Sequence, residues 1–275
     1  MKGMQKMVHA ALAAGMVSTV FCAAAWAQSA DSLIDKVMVG EHRAQANKAR
    51  DKYRHPKETL LFFGLRPEMT VVEISPSRGW YTEILAPVLR DAGQYYAAVA
   101  AVTEKTPDAM KKNDADYRAM LAASPNLFGK VKLSVLTPGA LQVAPPGSAD
   151  MVLTFRNVHN WAKAGTADAM FKAFHDALKS GGTLGVVEHR AKPDMSFEKQ
   201  IETGYMSEAY VVETAQKAGF RLVNKSEINS NAKDTKDYPG GVWSLPPTLR
   251  YGDQDREKYL AIGESDRMTL KFTKP

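Results

Sequence analysis

The sequence predicts an α/β fold, a mostly parallel, doubly wound sheet behind an N-terminal helical cap. Three observations predict it. From Met69 to Ala191 short apolar runs alternate with amphipathic helical stretches, the pattern of successive strand-helix-strand units. The first run, in VVEISPSRGWYTEI (71–84), ends in an acid, crosses a short loop of small residues with one glycine and enters a helix. A ligand at such a turn sits outside the carboxyl edge of the sheet. The tail then offers a helix and two strands suited to antiparallel pairing at a sheet edge.

The chain opens MKGMQKMVHAALAAGMVSTVFCAAAWA, with two lysines, a small and apolar stretch, then Ala25-Trp26-Ala27. That is the layout of a secretory signal peptide over 1–27, with Gln28 first after cleavage. The alternative is an uncleaved anchor, since the stretch approaches the roughly 18 apolar residues that span a bilayer. Its alanine content and the cleavage site directly after it favour removal. Phe21 before Cys22 argues against lipid attachment. Cys22 is the only cysteine, so the mature chain has no disulfide, thiolate metal site or cysteine nucleophile. Lys2 and Lys6 are the only formal charges in 1–27, so their loss takes the net charge from +6 to +4. No basic block alternates with aromatics, which argues against nucleic acid. The expected address is the bacterial periplasm or exterior, with no stable membrane insertion after cleavage and a small molecule as partner.

Asp31 to Tyr53 is polar with spaced apolar residues and reads as an outer helix. Pro56 opens a second, short helix that Gly64 stops. The two make a cap, 28–65, on the α/β domain, 66–275. There MTVVEIS is the first strand, WYTEILAPVLRDAG a helix closed by Gly93, and QYYAAVAAV the second strand. A helix over 107–122 leads to the third strand, VKLSVLT, and DMVLTFRNVHNW is a fourth strand with a polar and aromatic end. ADAMFKAFHDALKSGG is an amphipathic helix with a glycine stop, and TLGVVEHRA is the fifth strand. SEAYVVETAQKAGF is a helix; RLVNKSEI and MTLKFTKP are the last strands. Before the last lies an irregular stretch, 229–255, of a length that is uncommon without a role. It reads either as a lid, with Gly240-Gly241 as hinge and Tyr238, Trp243 and Pro246-Pro247 as rigid surface, or as a loop packed on the sheet edge.

In VVEISPSRGWYTEILAPVL, DMVLTFRNVHNW, LKSGGTLGVVEHRA, DYPGGVWSLPP and ESDRMTLKF, within Lys57 to Pro275, the chain resembles the class I S-adenosylmethionine-dependent methyltransferases. Within them it is similar to a group of secreted bacterial proteins described as predicted methyltransferases. The resemblance implies a seven-stranded sheet and S-adenosylmethionine as cofactor, with Glu73, Ser75, Gly79 and Tyr81 around its methionine part. Two departures stand out. Pro76, Ser77 and Arg78 replace a loop richer in glycine and remove one amide donor. The second strand ends AAVAAVTEK, without the usual acid for the ribose hydroxyls, and only Glu104 is near.

FRNVHNW at the fourth strand's end is similar to the His-Asp-Trp or His-Asn-Trp of small-molecule O-methyltransferases, which implies His159 as a general base for an acceptor hydroxyl. An imidazole suits that task because it titrates near neutral pH. The alternative is a hydrogen-bonded structural histidine. Arg156 and Asn157 would shape the pocket, the latter beside the cofactor, and Trp161 would pack over it. Glu188-His189-Arg190 ends the fifth strand at the same edge, so His189 is a second base candidate and Glu188 a substrate contact, with Tyr238 and Trp243 from the lid. His159, His189 and Glu188 suit zinc or iron by ligand type, but no short-range pair such as H-x-x-x-H exists, and no metal is expected. Asp266 and Arg267 read as a local pair. Neither a G-x-S-x-G elbow nor a phosphate loop is present. The leading function is small-molecule methyl transfer; the alternative is a binding protein that keeps the fold without the reaction.

Overall fold

The computed structural model describes residues 29–137 and 139–275. The signal peptide reading, with Cys22, lies outside the described residues. Ser29 caps helix α1 (Ala30–Met38) by accepting the Ser32 amide, one of the donors a helix leaves unpaired at its start. The sequence predicts one helix over 31–53, but there are three, α1, α2 (Gln45–Lys48) and α3 (Asp51–Arg54). The chain folds back on the buried Arg43, whose guanidinium grips Asp51 through two bonds of 2.7 and 2.8 Å. Helix α4 (Pro56–Phe63) begins at Pro56 and stops at Gly64, φ 86°, as the sequence predicts.

The domain continues as β1 (Thr70–Ile74), α5 (Thr82–Leu89), β2 (Gln94–Ala100), α6 (Asp108–Ala123), α7 (Pro125–Phe128), β3 (Lys132–Leu136) and β4 (Ala149–Phe155). Then come α8 (Val158–Ala164), α9 (Ala167–Ala177), β5 (Leu178–His189), α10 (Phe197–Thr203), α11 (Glu208–Lys217) and β6 (Arg221–Ser226). A 3₁₀ turn (Gly241–Ser244), α12 (Arg256–Ile262) and β7 (Arg267–Thr273) complete it. The seven strands form one sheet in the order β3-β2-β1-β4-β5-β7-β6. β7 alone runs antiparallel to its neighbours, so the predicted mostly parallel, seven-stranded sheet is present.

Successive residues of a strand face opposite sides of the sheet, and the core divides accordingly. Val71, Met151, Leu153 and Val187 pack under α1, α4 and α5. Val72, Val152, Leu184 and Val186 pack under α9 and α11. The helical cap therefore shares its core with the sheet. The end of α9 departs from expectation, since Leu178 to Gly182 are extended strand rather than helix. Leu178 pairs with Ala149, and Lys274 Nζ donates to the carbonyls of His175 and Leu178 at 2.7 and 2.8 Å, satisfying acceptors the helix end leaves open. No helix among the described residues is long and apolar enough to cross a membrane.

Candidate functional site

β1 lies between β2 and β4, the point where the strand order reverses. At such a switch the loops leaving neighbouring strands part and open a crevice at their carboxyl ends. A cavity of about 270 Å³ opens there. A second, of about 290 Å³, lies beside β2 and α6 against Val99, Ala100, Val102, Met110 and Tyr117. Ser75, Pro76, Ser77 and Asn157 line both.

The wall between the cavities is the loop after β1. Ser75, Ser77 and Gly79 adopt φ of 52°, 55° and 82°, a left-handed conformation that costs a residue with a Cβ roughly 1–2 kcal/mol. Two serines hold the backbone where glycines would hold it at less cost. Gly79 lines neither cavity; a Cβ there would meet Met120 Cε at 2.7 Å and Tyr117 at 3.1 Å, so its bareness lets α6 close on the loop. Glu73 lines the first cavity from below and is fully enclosed. Burial pushes its carboxyl up to about 7, against the hydrogen bonds it accepts from Tyr95 and Thr82. Tyr81 stacks on Phe155 with centroids 3.6 Å apart. Asn157 Nδ2 donates to the Ile74 carbonyl at 3.0 Å, tying the β4 loop to the end of β1.

His159, in the first turn of α8, and His189, at the end of β5, line the same cavity. Glu188 lies beneath them, with no exposed surface. It accepts from the His159 amide at 3.3 Å, the His189 amide at 2.8 Å and His159 Nδ1 at 3.1 Å. A carboxylate can only accept, so Nδ1 of His159 carries the hydrogen and Nε2 is its free basic atom. His189 Nδ1 lies 2.5 Å from Ser265 Oγ. Burial holds His189 well below the ordinary histidine range, and the charges of His159 and Arg156 add to this. Ligand atoms of His159, Glu188 and His189 lie within 4.8 Å of one another. In this arrangement, however, the carboxylate is committed to three N–H donors.

Arg54 and Arg156 complete the walls together with Glu264. Glu264 Oε1 accepts from Arg50 at 2.6 Å and Oε2 from Arg54 and Arg267 at 3.1 Å each. Burial would raise this carboxyl, but the fields of Arg54, Arg267, Arg50 and Arg156 hold it down to about 2. Burial lowers Arg54 to about 9 and Arg156 to about 10. Trp243 meets the His159 ring in a T-shaped pair with centroids 5.9 Å apart, and Pro246 and Pro247 close the side.

No family model and no curated protein matches the chain. Solved structures do. A SAM-dependent methyltransferase from Aquifex aeolicus is 16% identical over 89% of this chain and 98% of that one, with a TM-score of 0.52. The cyclase SpnF is 17% identical over 89% and 92%, TM-score 0.57. The arsenic(III) S-adenosylmethionine methyltransferase CrArsM from Chlamydomonas reinhardtii is 9% identical over 88% and 73%, TM-score 0.51. The fold is the methyltransferase fold. At such identities the likeness concerns the fold, and a cyclase among the three illustrates that chemistry belongs to the site.

Of the residues the sequence singles out, Glu73, Ser75, Tyr81, Arg156, Asn157, His159, His189 and Trp243 line the first cavity. Five do not. Gly79 is behind the loop. Glu104 is exposed in the turn after β2 and lines neither cavity. Trp161 packs against Phe171 and Phe174 in the core; two residues after His159 on one helix, it points to nearly the opposite side. Glu188 supports His159 from within rather than facing the cavity. Tyr238 is buried edge-on against Tyr259, away from the cavity. Asp266 and Arg267 do not pair with each other: Asp266 binds Arg190 and Lys236, and Arg267 binds Glu264.

The 229–255 stretch is docked rather than free. Asp234 accepts from Tyr205 Oη at 3.0 Å and the Asp266 amide at 2.7 Å. Sequence reasoning passes over Arg54 and Glu264, which lie 210 residues apart and meet only in the fold. The left-handed His55, φ 40°, between α3 and α4 turns the chain at Arg54, and the only sequence signal is the arginine's place before His55-Pro56.

Proposed function

We propose that this protein is an exported enzyme that moves a methyl group from S-adenosylmethionine to a hydroxyl of a small molecule. The observation that carries the reading is the Glu188–His159 pair at a cavity adjoining the β1 loop. Two cavities meeting at Ser75–Ser77 suit a ligand with a flat apolar end and a charged amino acid end. Val99, Ala100, Met110 and Tyr117 would hold the adenine end; Glu73, Ser75, Tyr81 and Asn157 would surround the methionine end. Bound there, the cofactor supplies a methyl group on a sulfonium, so catalysis is mainly alignment of the acceptor. His159 Nε2 takes the hydroxyl proton, and Glu188 stabilises the imidazolium that results. Trp243, Pro246 and Pro247 keep water from the cavity.

The test is isothermal titration of the protein with S-adenosylmethionine and S-adenosylhomocysteine, beside Val102→Asp as the variant that restores an acid after β2. Micromolar binding is expected. No heat at millimolar ligand, from protein shown to be folded, would overturn the reading. The export half rests on the N-terminal sequence, and cell fractionation with N-terminal sequencing tests it. Recovery from the periplasm with Gln28 first is expected, whereas an uncleaved cytoplasmic chain refutes it.

The second reading is a binding protein without turnover, favoured by one observation: Glu104, the only acid near the end of β2, is exposed and lines neither cavity.

A further inference from the structure

Around the first cavity four arginines face three carboxylates, Glu73, Glu188 and Glu264, and burial holds Glu73 toward its neutral form. Arg50, Arg54, Arg156 and Arg267 all act on one carboxylate, Glu264, and two of the four are lining residues with unused donors. Arg54 is 2% exposed and lies over the Trp80 ring at 4.6 Å. Its Nε is bonded to Glu264, but its Nη2 is buried with no partner. Leaving such a donor unmet is unfavourable, and more so for a charged group. Arg156 makes no side-chain hydrogen bond and no ion pair among the described residues, although it is enclosed enough that burial lowers its guanidinium. It also sits at φ 61° directly after β4. Left-handed backbone at a residue with a Cβ is strain of the kind that gathers at ligand clamps.

The cofactor reading makes the imbalance worse. S-adenosylmethionine carries a sulfonium, an ammonium and one carboxylate, so it adds a net positive charge to a cavity already in excess. Glu188 is committed to His159 and backbone amides, and Glu73 is held toward its neutral form. A second, negatively charged ligand is what balances the site. Guanidinium groups suit carboxylates because their planar donors match two oxygens.

We propose that the acceptor is a small hydroxy acid, its carboxylate held by Arg54 and Arg156 and its hydroxyl presented to His159. This rests on the methyl-transfer reading and narrows its substrate class.

The experiment uses carboxylate and amide pairs of one shape: acetate with acetamide, benzoate with benzamide, 4-hydroxybenzoate with 4-hydroxybenzamide. Each is titrated into protein saturated with S-adenosylhomocysteine and followed by the fluorescence of Trp80 and Trp243, which line the cavity. Arg156→Gln is the variant, chosen because Arg156 has no protein partner to orphan. We expect the carboxylate to bind at least about tenfold more tightly than its amide in one pair or more. The preference should fall below about twofold in Arg156→Gln, with S-adenosylhomocysteine affinity unchanged. Equal binding of acids and amides in all three pairs overturns the proposal. So does an Arg156→Gln variant that loses S-adenosylhomocysteine but keeps 5′-methylthioadenosine, which lacks the amino acid carboxylate, because the guanidinium then serves the cofactor. If neither nucleoside binds, the methyl-transfer reading fails, while the same pairs without nucleoside still decide the anion preference.

Discussion

Glu188 Oε1 lies 3.1 Å from His159 Nδ1, and the two residues are buried at the ends of different elements, β5 and α8. The carboxylate fixes the ring's tautomer and orientation, leaving Nε2 as the basic atom. A positioned base of this kind contributes about 10²–10⁴-fold to turnover. His159→Ala is expected to lower kcat by that range and leave S-adenosylhomocysteine affinity within about twofold. Glu188→Gln keeps the shape but removes the charge that stabilises the imidazolium and turns an NH2 toward one of the three N–H donors, so it should lower kcat and shift its pH profile. Kinetics with the first acceptor found, paired with calorimetry, check both. Full turnover in His159→Ala would remove the base assignment and leave His159 a hydrogen-bonded structural residue.

The loop after β1 makes opposite predictions for its serines and its glycine. Ser75→Gly and Ser77→Gly relieve left-handed strain but free the unfolded chain, two effects of about 1 kcal/mol with opposite sign. Stability within about 1 kcal/mol of the parent is expected, with the loop still shaped for ligand. Gly79→Ala adds a methyl at φ 82° against Met120 and Tyr117, and a loss of about 1–3 kcal/mol is expected from overpacking and strain. Urea unfolding of the three variants checks the contrast, and equal effects would mean that α6 does not lean on Gly79.

Glu73 gives stability a pH dependence of definite sign. Its carboxyl is protonated in both states well below 4.5; between 4.5 and about 7 only the unfolded chain ionises it. The unfolded state then binds fewer protons, so stability falls as pH rises across this window. A rise from 4.5 to about 7 corresponds to roughly 3 kcal/mol at 1.36 kcal/mol per unit. Glu73→Gln cannot ionise, so its stability relative to the parent should improve by roughly 2–3 kcal/mol between about pH 5 and pH 8. Glu264, held down to about 2, stays ionised throughout that range, and its contribution is lost only as pH falls from 4.5 toward 2. A constant difference between the two proteins would show that Glu73 ionises freely in the fold.

The sheet was legible because strand and helix periods are local. Val71 to Ile74 and Met151 to Phe155 read as buried strands whatever the rest of the chain does. Helix α8 was harder, since VHNWAKA follows a strand without a break and places His159 and Trp161 on opposite sides. Glu188 illustrates a further limit: composition puts it at the site, but its direction depends on which face of β5 turns to α8. The arginine cluster was not legible at all. Its members come from α3, the β4 loop and the start of β7, and only the packed cap brings them round Glu264.

The stretch before β7 is held by a close approach of Gly241, half of the glycine pair that its sequence alone suggests is a hinge, to the end of α10. A Cβ on Gly241 would meet the Thr203 carbonyl oxygen at 2.2 Å and Thr203 Cα at 2.5 Å, and Gly241 has φ 57°. Reciprocally, a Cβ on Gly204 would meet Trp243 at 2.8 Å and Val242 at 2.9 Å. The 3₁₀ turn thus lies directly on the end of α10, and that contact sets how far Trp243 reaches over His159. Backbone cannot yield as a side chain can, so Gly241→Ala should push the turn off α10, at a cost of about 1–3 kcal/mol or more. Gly240→Ala is the control, because the atoms nearest its Cβ would belong to the side chains of Ser244 and Tyr251, at 3.0 Å, and not to backbone. Gly241→Ala is expected to red-shift tryptophan fluorescence and speed proteolytic cutting within 229–255, with Gly240→Ala close to the parent. If both variants behave alike, Trp243 is held over the cavity by Asp234 and its partners rather than by the glycine contact, and Asp234→Asn becomes the variant that releases it.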